Sequence, residues 1–151
     1  MRFLWGLVYR ALRLYWGLMK PFTVGVRVLL LRDEEILLVR HPVLAGWYLP
    51  GGGVKRGETL EEAIRREAAE EVGATLGEMQ LLGVYTNLQE GKSDHIAVFT
   101  CHDFTLGGET DREVERFELS PLDHLPADVS PGTGRRIREY LQGDVARVGV
   151  W

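Results

Sequence analysis

Apolar and polar positions alternate along this chain in short runs that are typical of β-strands. The first run, Thr23–Leu31 (TVGVRVLLL), is rich in β-branched residues and predicts a buried strand. The polar residues Arg32–Glu35 predict a turn, after which Ile36–Val39 returns as the hairpin partner. Three further strands are predicted downstream, at Gln80–Asn87, at His95–Phe104 and in the alternating, half-buried stretch Asp111–Leu119.

Two stretches have the properties of helices instead. The central one, Leu60–Val72, consists largely of Ala, Glu and Arg, which are strong helix formers. Thr59 is a suitable N-cap and Glu62 completes a capping box, while Gly73 stands where a glycine commonly ends a helix. The second stretch, Gly132–Gln142, follows a Ser-Pro start. Strands that flank a central helix, with a second helix near the end, predict an α/β sandwich with a mixed sheet.

Residues Met1–Lys20 stand apart because they form a basic amphipathic pattern. On a helical wheel the basic side chains fall within an arc of about 80°, and apolar residues cover about 220°. These basic residues are Arg2, Arg10, Arg13 and Lys20. We expect neither a transmembrane span, because charges interrupt the apolar run, nor a signal peptide, because no cleavage site follows it. Packing on the domain or in a homodimer is favoured over contact with a membrane surface, since the basic residues are few.

Composition narrows the classes of function. The 151 residues are enough for one domain with a substantial core. A net charge of −4 provides no basic field for nucleic acid, so a nucleic-acid partner is not expected. The single cysteine, Cys101, excludes an internal disulfide and fits a reducing, cytoplasmic location. Its apolar neighbours indicate an inert core thiol.

The central helix carries three carboxylates on one face. Glu67, Glu70 and Glu71 are spaced i, i+3 and i+4, so their charges repel one another. A solvated acidic face is the plain interpretation, but no lysine follows at i+4 to offset the repulsion. Mg²⁺ or Mn²⁺ would offset it, because hard cations prefer carboxylate oxygens. The pattern therefore suggests a divalent-cation site.

The same helix and the glycine-rich turn before it contain the pattern Gly52-x5-Glu58-x7-Arg66-Glu67-Ala68-Ala69-Glu70-Glu71-Val72-Gly73-Ala74. This pattern resembles the Nudix box, G-x5-E-x7-R-E-U-x-E-E-x-G-U, in which U is a bulky aliphatic residue. Every charged and glycine position matches, whereas Ala68 and Ala74 are smaller than the U positions require. The resemblance implies an α/β/α sandwich, and we expect a Nudix domain over 21–151 preceded by the helix over 1–20.

The resemblance also implies a chemistry. Members of this family use divalent cations to cleave a phosphoanhydride bond in a nucleoside diphosphate linked to another moiety. The resemblance assigns metal binding to Glu67, Glu70 and Glu71, with the carbonyl of Gly51 as a backbone ligand. It assigns a supporting or metal-linked role to Glu58. Arg66 would pair with a box carboxylate and hold it in place. The general base would be a helix glutamate or an acidic residue of a later loop, for which the candidates are Asp111, Glu113 and Glu115, with Glu113 preferred.

Candidate substrate-binding residues are fewer. Arg27 and Arg40 stand in apolar strand surroundings, where an arginine is either a solvated edge residue or a phosphate ligand. The turn glycines Gly52 and Gly53 complete the set. Three aromatic residues, Trp47, Tyr48 and Tyr85, are candidates either for stacking on a base or for packing.

Three functions remain in view at this point. The leading hypothesis is a Mg²⁺- or Mn²⁺-dependent pyrophosphohydrolase that acts on a small nucleotide, either a nucleoside diphosphate derivative or a nucleoside triphosphate. A second hypothesis is a binding or regulatory module without catalysis, but the intact box makes this hypothesis less favourable. A third is an isomerase of isoprenoid diphosphates, which would need a catalytic cysteine, and Cys101 is poorly placed for that role. The sequence does not identify the nucleotide.

Overall fold

The structure, a computed structural model, describes residues 22–88, 92–110, 114–143 and 147–151, together with Ala11, Leu14 and Tyr15. The predicted N-terminal helix therefore lies outside the described residues, apart from those three, and it stays a prediction. Among the helices of the described residues, none is long and apolar enough to cross a membrane.

Eight strands and two helices are described. In chain order they are β1 (Phe22–Arg32), β2 (Glu35–Arg40), α1 (Leu60–Val72), β3 (Thr75–Leu76), β4 (Met79–Asn87), β5 (Ser93–Cys101), β6 (Phe104–Thr105), β7 (Arg116–Pro121), α2 (Pro131–Leu141) and β8 (Arg147–Val150).

Six of the strands form one mixed sheet in the order β7-β2-β1-β5-β4-β8. At its centre β1 runs parallel to β5, in a ladder that extends from the pair Phe22–Ser93 to the pair Leu30–Cys101. β4 is antiparallel to β5, whereas β8 is parallel to β4. The short strands β3 and β6 pair with each other in a separate two-stranded sheet. The predicted mixed sheet is thus confirmed.

Each face of the six-stranded sheet is covered by one helix. Ile64 and Val72 of α1 pack in one cluster with Val26, Val28 and Leu30 of β1. On the opposite face, Ile137 of α2 packs with the intervening residues Leu29 and Leu31. Because alternate residues of a strand point to opposite faces, a strand covered on both faces needs an uninterrupted apolar run, as β1 has. The result is a three-layer α/β/α arrangement.

The later strands differ from the sequence-based expectation. The predicted strand Asp111–Leu119 is too early, since β7 runs from Arg116 to Pro121, and residues 111–113 lie outside the described residues. The predicted strand His95–Phe104 divides, because β5 ends at Cys101 and Phe104 begins β6 instead. An apolar run alone does not reveal the bend at His102 that separates the two.

Residues 147–151, whose structure is not predicted from the sequence, form an edge strand and a packing contact. After β8, the Trp151 N–H donates to the Thr86 carbonyl at 3.0 Å. The Arg136 guanidinium lies 3.7 Å from the centroid of the Tyr85 ring and 5.4 Å from that of Trp151. Arg136 is only 1% exposed and donates to Glu139 at 2.8 Å, so its charge is compensated. These contacts attach the end of the chain to α2 and β4.

Candidate active site

The glycine-rich loop before α1 is attached to β1 by backbone hydrogen bonds. The Val26 N–H donates to the Gly52 carbonyl at 2.9 Å, and the Val28 N–H donates to the Pro50 carbonyl at 3.0 Å. A third hydrogen bond runs in the opposite direction, from the Val54 N–H of the loop to the Val24 carbonyl of β1 at 3.0 Å. The loop therefore lies beside the first half of β1 in the manner of a short strand, and the sheet fixes its position.

Two glycines of the loop allow glutamates of α1 to approach closely. Gly51 has a φ of 140°, and a Cβ there would collide with the Val26 carbonyl. Its N–H donates to Oε2 of Glu71 at 2.8 Å. A Cβ on Gly52 would lie 2.5 Å from Cδ of Glu67. A larger residue at 51 would push the loop away from β1, and one at 52 would push it away from the Glu67 carboxylate.

α1 begins and ends as the sequence predicts. The Thr59 hydroxyl accepts from the Glu62 N–H at 3.1 Å, and the Glu62 carboxylate accepts from the Thr59 N–H at 2.8 Å. Gly73 ends the helix with a left-handed φ of 62°. The small box residues Ala68 and Ala74 are buried in the core that α1 shares with β1.

Arg66 is the centre of the charged cluster on α1. Its guanidinium donates to both oxygens of Glu58 at 2.6 and 3.0 Å, and to the Gly53 carbonyl at 3.0 Å. It also donates to Glu67 at 2.6 Å and to Glu70 at 3.1 Å. The cation that offsets the repulsion is thus Arg66, which precedes the carboxylates along the helix, and not a lysine at i+4.

These bonds change the acidity of the groups involved. The hydrogen bonds from Arg66, followed by the backbone N–H of Lys55, lower the pKa of Glu58 from 4.5 to about 2. The same bonds to Glu58, together with those to Glu67 and Glu70, raise the pKa of Arg66. These bonds therefore favour the charged forms of Glu58 and Arg66.

Arg27 and Arg40, both predicted as substrate ligands, lie in different surroundings. Burial lowers the pKa of Arg27, while the nearby charges of Glu71, Asp94 and Glu67 act in the opposite direction. Arg27 is thus electrostatically coupled to the box. Arg40 instead forms an ion pair with Asp128 at 2.5 Å, and its guanidinium lies 4.8 Å from the centroid of the Trp47 ring.

The comparisons with known proteins decide the family. The pattern of the NUDIX domain matches residues 21–140. The chain belongs to the Nudix family. It is 34% identical over 127 residues to an ADP-ribose pyrophosphatase from Methanocaldococcus jannaschii, which covers 79% of this chain and 73% of that protein. It is 37% identical over 126 residues to a putative 8-oxo-dGTP diphosphatase from Bacillus subtilis, covering 81% of this chain and 82% of that protein.

A solved structure gives the same result. The MutT Nudix hydrolase from Burkholderia pseudomallei superposes with a TM-score of 0.69 and 30% identity, covering 78% of this chain and 97% of that one. Together with the pyrophosphatase relatives, this similarity identifies the chain as a Nudix hydrolase, an enzyme. Nudix hydrolases generally use divalent metal ions.

The donor set of this Nudix box is suited to a hard cation. Four carboxylates lie around the loop and Arg66, and they contribute only oxygen donors, which Mg²⁺ and Mn²⁺ prefer. They are Glu58, Glu67, Glu70 and Glu71. Within the part of the chain that the structure describes, no three acidic, histidine or cysteine side chains converge closely enough to enclose a metal ion. Arg66 accounts for this, because it holds three of the four carboxylates.

Some candidate residues are elsewhere, and others were missed. Glu113, the preferred later base, and Asp111 lie outside the described residues, whereas Glu115 is exposed and its N–H donates to the Arg40 carbonyl at 2.8 Å. His41 was not a candidate, yet its Nε2 lies 3.8 Å from Oε1 of Glu71. A lone histidine in a loop gives no sequence signal for that approach.

The aromatic candidates are mainly packing residues. Tyr85 is fully buried and donates to Glu139 at 2.8 Å, and burial raises its pKa to about 12. Trp47 is also buried, and the guanidinium groups of Arg40 and Arg116 lie 4.8 and 4.9 Å from the centroid of its ring. Tyr48 is half-buried and donates to the Ala45 carbonyl at 2.8 Å. Of the three, only Tyr48 keeps appreciable exposure.

Proposed function

We propose that this Nudix hydrolase is a metal-dependent pyrophosphohydrolase that cleaves a phosphoanhydride bond in a nucleoside diphosphate derivative or a nucleoside triphosphate. The observation that carries the proposal is the gathering of four box carboxylates around the glycine loop and Arg66. The pyrophosphatase relatives support the same class of reaction.

The charge of the site explains why a metal is needed. A diphosphate is anionic, and the cluster around Arg66 contains more carboxylates than cationic groups. An anionic substrate would be repelled unless bound cations reverse the local field. Bound Mg²⁺ or Mn²⁺ would neutralise phosphate oxygens and lower the pKa of a water molecule. Glu67, Glu70 and Glu71 would hold the metal, with Glu58 and the Gly51 carbonyl in support.

The protein residues around this position have separate tasks. The Gly51 N–H fixes one oxygen of Glu71 and so orients the other. Arg66 fixes Glu58 and restrains Glu67 and Glu70. Arg27, which is coupled to Glu71 and Glu67, is the candidate that binds the diphosphate directly.

A substrate panel with the purified full-length protein tests the proposal. The panel contains ADP-ribose, UDP-glucose, ATP, dGTP and 8-oxo-dGTP, each assayed with Mg²⁺, with Mn²⁺ and with excess chelator. We expect release of a nucleoside monophosphate from at least one compound, and its loss with the chelator. Hydrolysis that persists in chelator would refute the metal dependence.

Thermal unfolding tests the metal site independently of turnover. Millimolar Mn²⁺ should raise the melting temperature, since it binds the folded state. The shift should disappear in a variant with glutamine at 67, 70 and 71. The inactive-module alternative predicts a metal-dependent shift without hydrolysis of any compound in the panel.

A further inference from the structure

Polar residues occupy the outer part of the sheet face on which α2 packs, and among them only Arg27 is a candidate from the sequence. Residues Thr23, Gly25 and Arg27 alternate along β1 and therefore share one face of the sheet. In the ladder with β5, Asp94 lies opposite Thr23, and Val98 lies opposite Arg27. Asp94 and Arg27 consequently lie on the same face. Their Cα positions are separated by four residues along the strands, a backbone distance of about 13 Å.

α2 covers only the inner part of this face. Its residue Ile137 packs on Leu29 and Val98 in the buried cluster. Toward the other end of the strands, Thr23 is exposed and Asp94 is half-buried. This part of the face is therefore more exposed than the part under α2, and the glycine loop borders it, since the Gly52 carbonyl oxygen would lie 3.4 Å from a Cβ built on Gly25.

The carboxylate of Asp94 is held in place. The Thr23 hydroxyl donates to its Oδ1 at 2.8 Å, and its charge acts on Arg27. Arg27 in turn is coupled to Glu71 and Glu67 of the box. The charge of Arg27 thus interacts both with carboxylates of the box and with Asp94.

Gly25 leaves a depression between these groups. A Cβ built on it would lie 3.4 Å from the Gly52 carbonyl oxygen, 3.8 Å from Ile96 and 3.9 Å from Oδ1 of Asp94. Gly25 is not among the glycines with positive φ, so its backbone conformation does not require glycine. What the missing side chain provides is space, and Asp94 borders that space.

We propose that Asp94 is a specificity-determining residue that accepts hydrogen bonds from a neutral, paired donor group on the nucleoside part of the substrate. The inference rests on the proposed function, which places the diphosphate at the box and Arg27. A carboxylate repels phosphate, so what binds beside Asp94 is the uncharged part of the substrate. Two sources offer such a donor pair, the vicinal hydroxyls of a ribose and the N–H groups of a guanine edge.

Equilibrium binding of nucleoside monophosphates to the full-length protein separates the two sources. AMP is compared with 2′,3′-dideoxy-AMP for the sugar hydroxyls, and GMP is compared with IMP for the exocyclic amine. We expect the wild type to prefer the parent compound in one of these pairs. Asp94→Asn should weaken binding of that parent at least about tenfold and abolish the preference, as for a hydrogen bond to a charged group.

Two further variants distinguish a binding role from a structural one. Gly25→Ala fills the depression at ordinary contact distances, so it should retain the melting temperature of the wild type and still weaken binding of the parent compound. Asp123→Asn is the matched control, since Asp123 is exposed and lies in the turn that follows β7. It should leave binding unchanged. On a substrate that is turned over, Asp94→Asn should raise KM more than it lowers kcat.

The outcomes separate this inference from the proposed function. Equal weakening of all four compounds by Asp94→Asn, or no weakening at all, would overturn the inference even if the panel substrates are hydrolysed. Discrimination that depends on Asp94 without any hydrolysis would support the subsite and refute the proposed reaction. If the wild type neither binds nor hydrolyses any of these compounds, both fail.

Discussion

At the scale of single residues, Arg66 explains how a helix can carry so many acidic side chains. One guanidinium contacts Glu58, Glu67 and Glu70, and it also donates to the loop carbonyl of Gly53. Arginine suits this position because its planar group donates in several fixed directions, whereas a lysine is a point charge. The loop and the helix are thereby joined through one side chain.

The first prediction concerns Glu58 and pH. Its pKa is lowered from 4.5 to about 2 in the folded protein, so its contribution to stability is present above pH 4.5. That contribution is lost as the pH falls from about 4.5 toward about 2. The melting temperature of Glu58→Gln should therefore lie below that of the wild type at pH 7, and the gap should close on acidification.

Glu61→Gln is the matched control for this experiment. Glu61 is an exposed glutamate in the first turn of α1, three residues after Glu58 and outside the Arg66 cluster. Its substitution should produce no gap that closes over this pH range. A Glu58→Gln gap that stays constant from pH 7 to pH 2 would show that the ion pair contributes nothing to the difference.

The second prediction concerns the proposed metal ligands. Glu70→Gln and Glu71→Gln should each lower turnover at least about 100-fold, because loss of a metal ligand removes stabilisation of the charge that develops in the transition state. Steady-state kinetics on a substrate of the wild type measure the effect, with circular dichroism as a check on folding. Wild-type rates in both variants would contradict the metal assignment.

What the sequence reveals of the site depends on how local each contact is. The helix glutamates and Arg66 follow from spacing within one element, and the structure brings them together as expected. The neighbours from other elements do not follow, because His41 approaches Glu71, and Asp94 pairs with Thr23, only in the folded chain. Arg27 and Arg40 are equivalent in sequence, and only the tertiary contacts separate them.

At the scale of elements, the box helix is the part that the sequence predicts best. Its start and stop depend on the capping side chains of Thr59 and Glu62 and on Gly73, which are local features. The later strands are predicted less well. Their limits depend on partners distant in sequence, and β8 forms only because β4 offers it an edge.

The third prediction concerns the start of this helix. Thr59→Ala removes the oxygen that accepts from the Glu62 N–H, and it should lower the free energy of unfolding by about 1 kcal/mol. Urea denaturation should show a lower midpoint with an unchanged slope. Thr59→Ser retains the hydroxyl and should keep most of the stability. Equal losses in both variants would exclude the cap as the cause.

At the scale of the whole molecule, the segment over 1–20 remains the main open prediction. β1 begins with Phe22, which is 71% exposed, so the end of β1 that follows this segment in the sequence presents an apolar side chain to solvent. We propose that residues 1–20 form a helix that packs on the domain or on a second copy. Their deletion should lower the melting temperature or the mass seen in light scattering, while hydrolysis stays measurable.

Vesicles test the alternative. If the full-length chain sediments with anionic vesicles in a salt-sensitive way and the truncated chain does not, the membrane interpretation holds and the packing proposal fails. Full retention of melting temperature and mass in the truncated chain would also contradict the packing proposal.

The central pairing of β1 with β5 has a consequence for how the protein is made. Its ladder joins residues as far apart as Thr23 and Asp94, a separation of 71 residues. Parallel pairs of this kind form slowly, since closing the long loop costs conformational entropy before the strand contacts can stabilise the pair. On the ribosome, β1, β2 and the box helix emerge while the inner edge of β1 still lacks its partner. Until Cys101 has left the exit tunnel, the nascent chain presents an apolar strand edge, and that interval is when it most needs protection from aggregation.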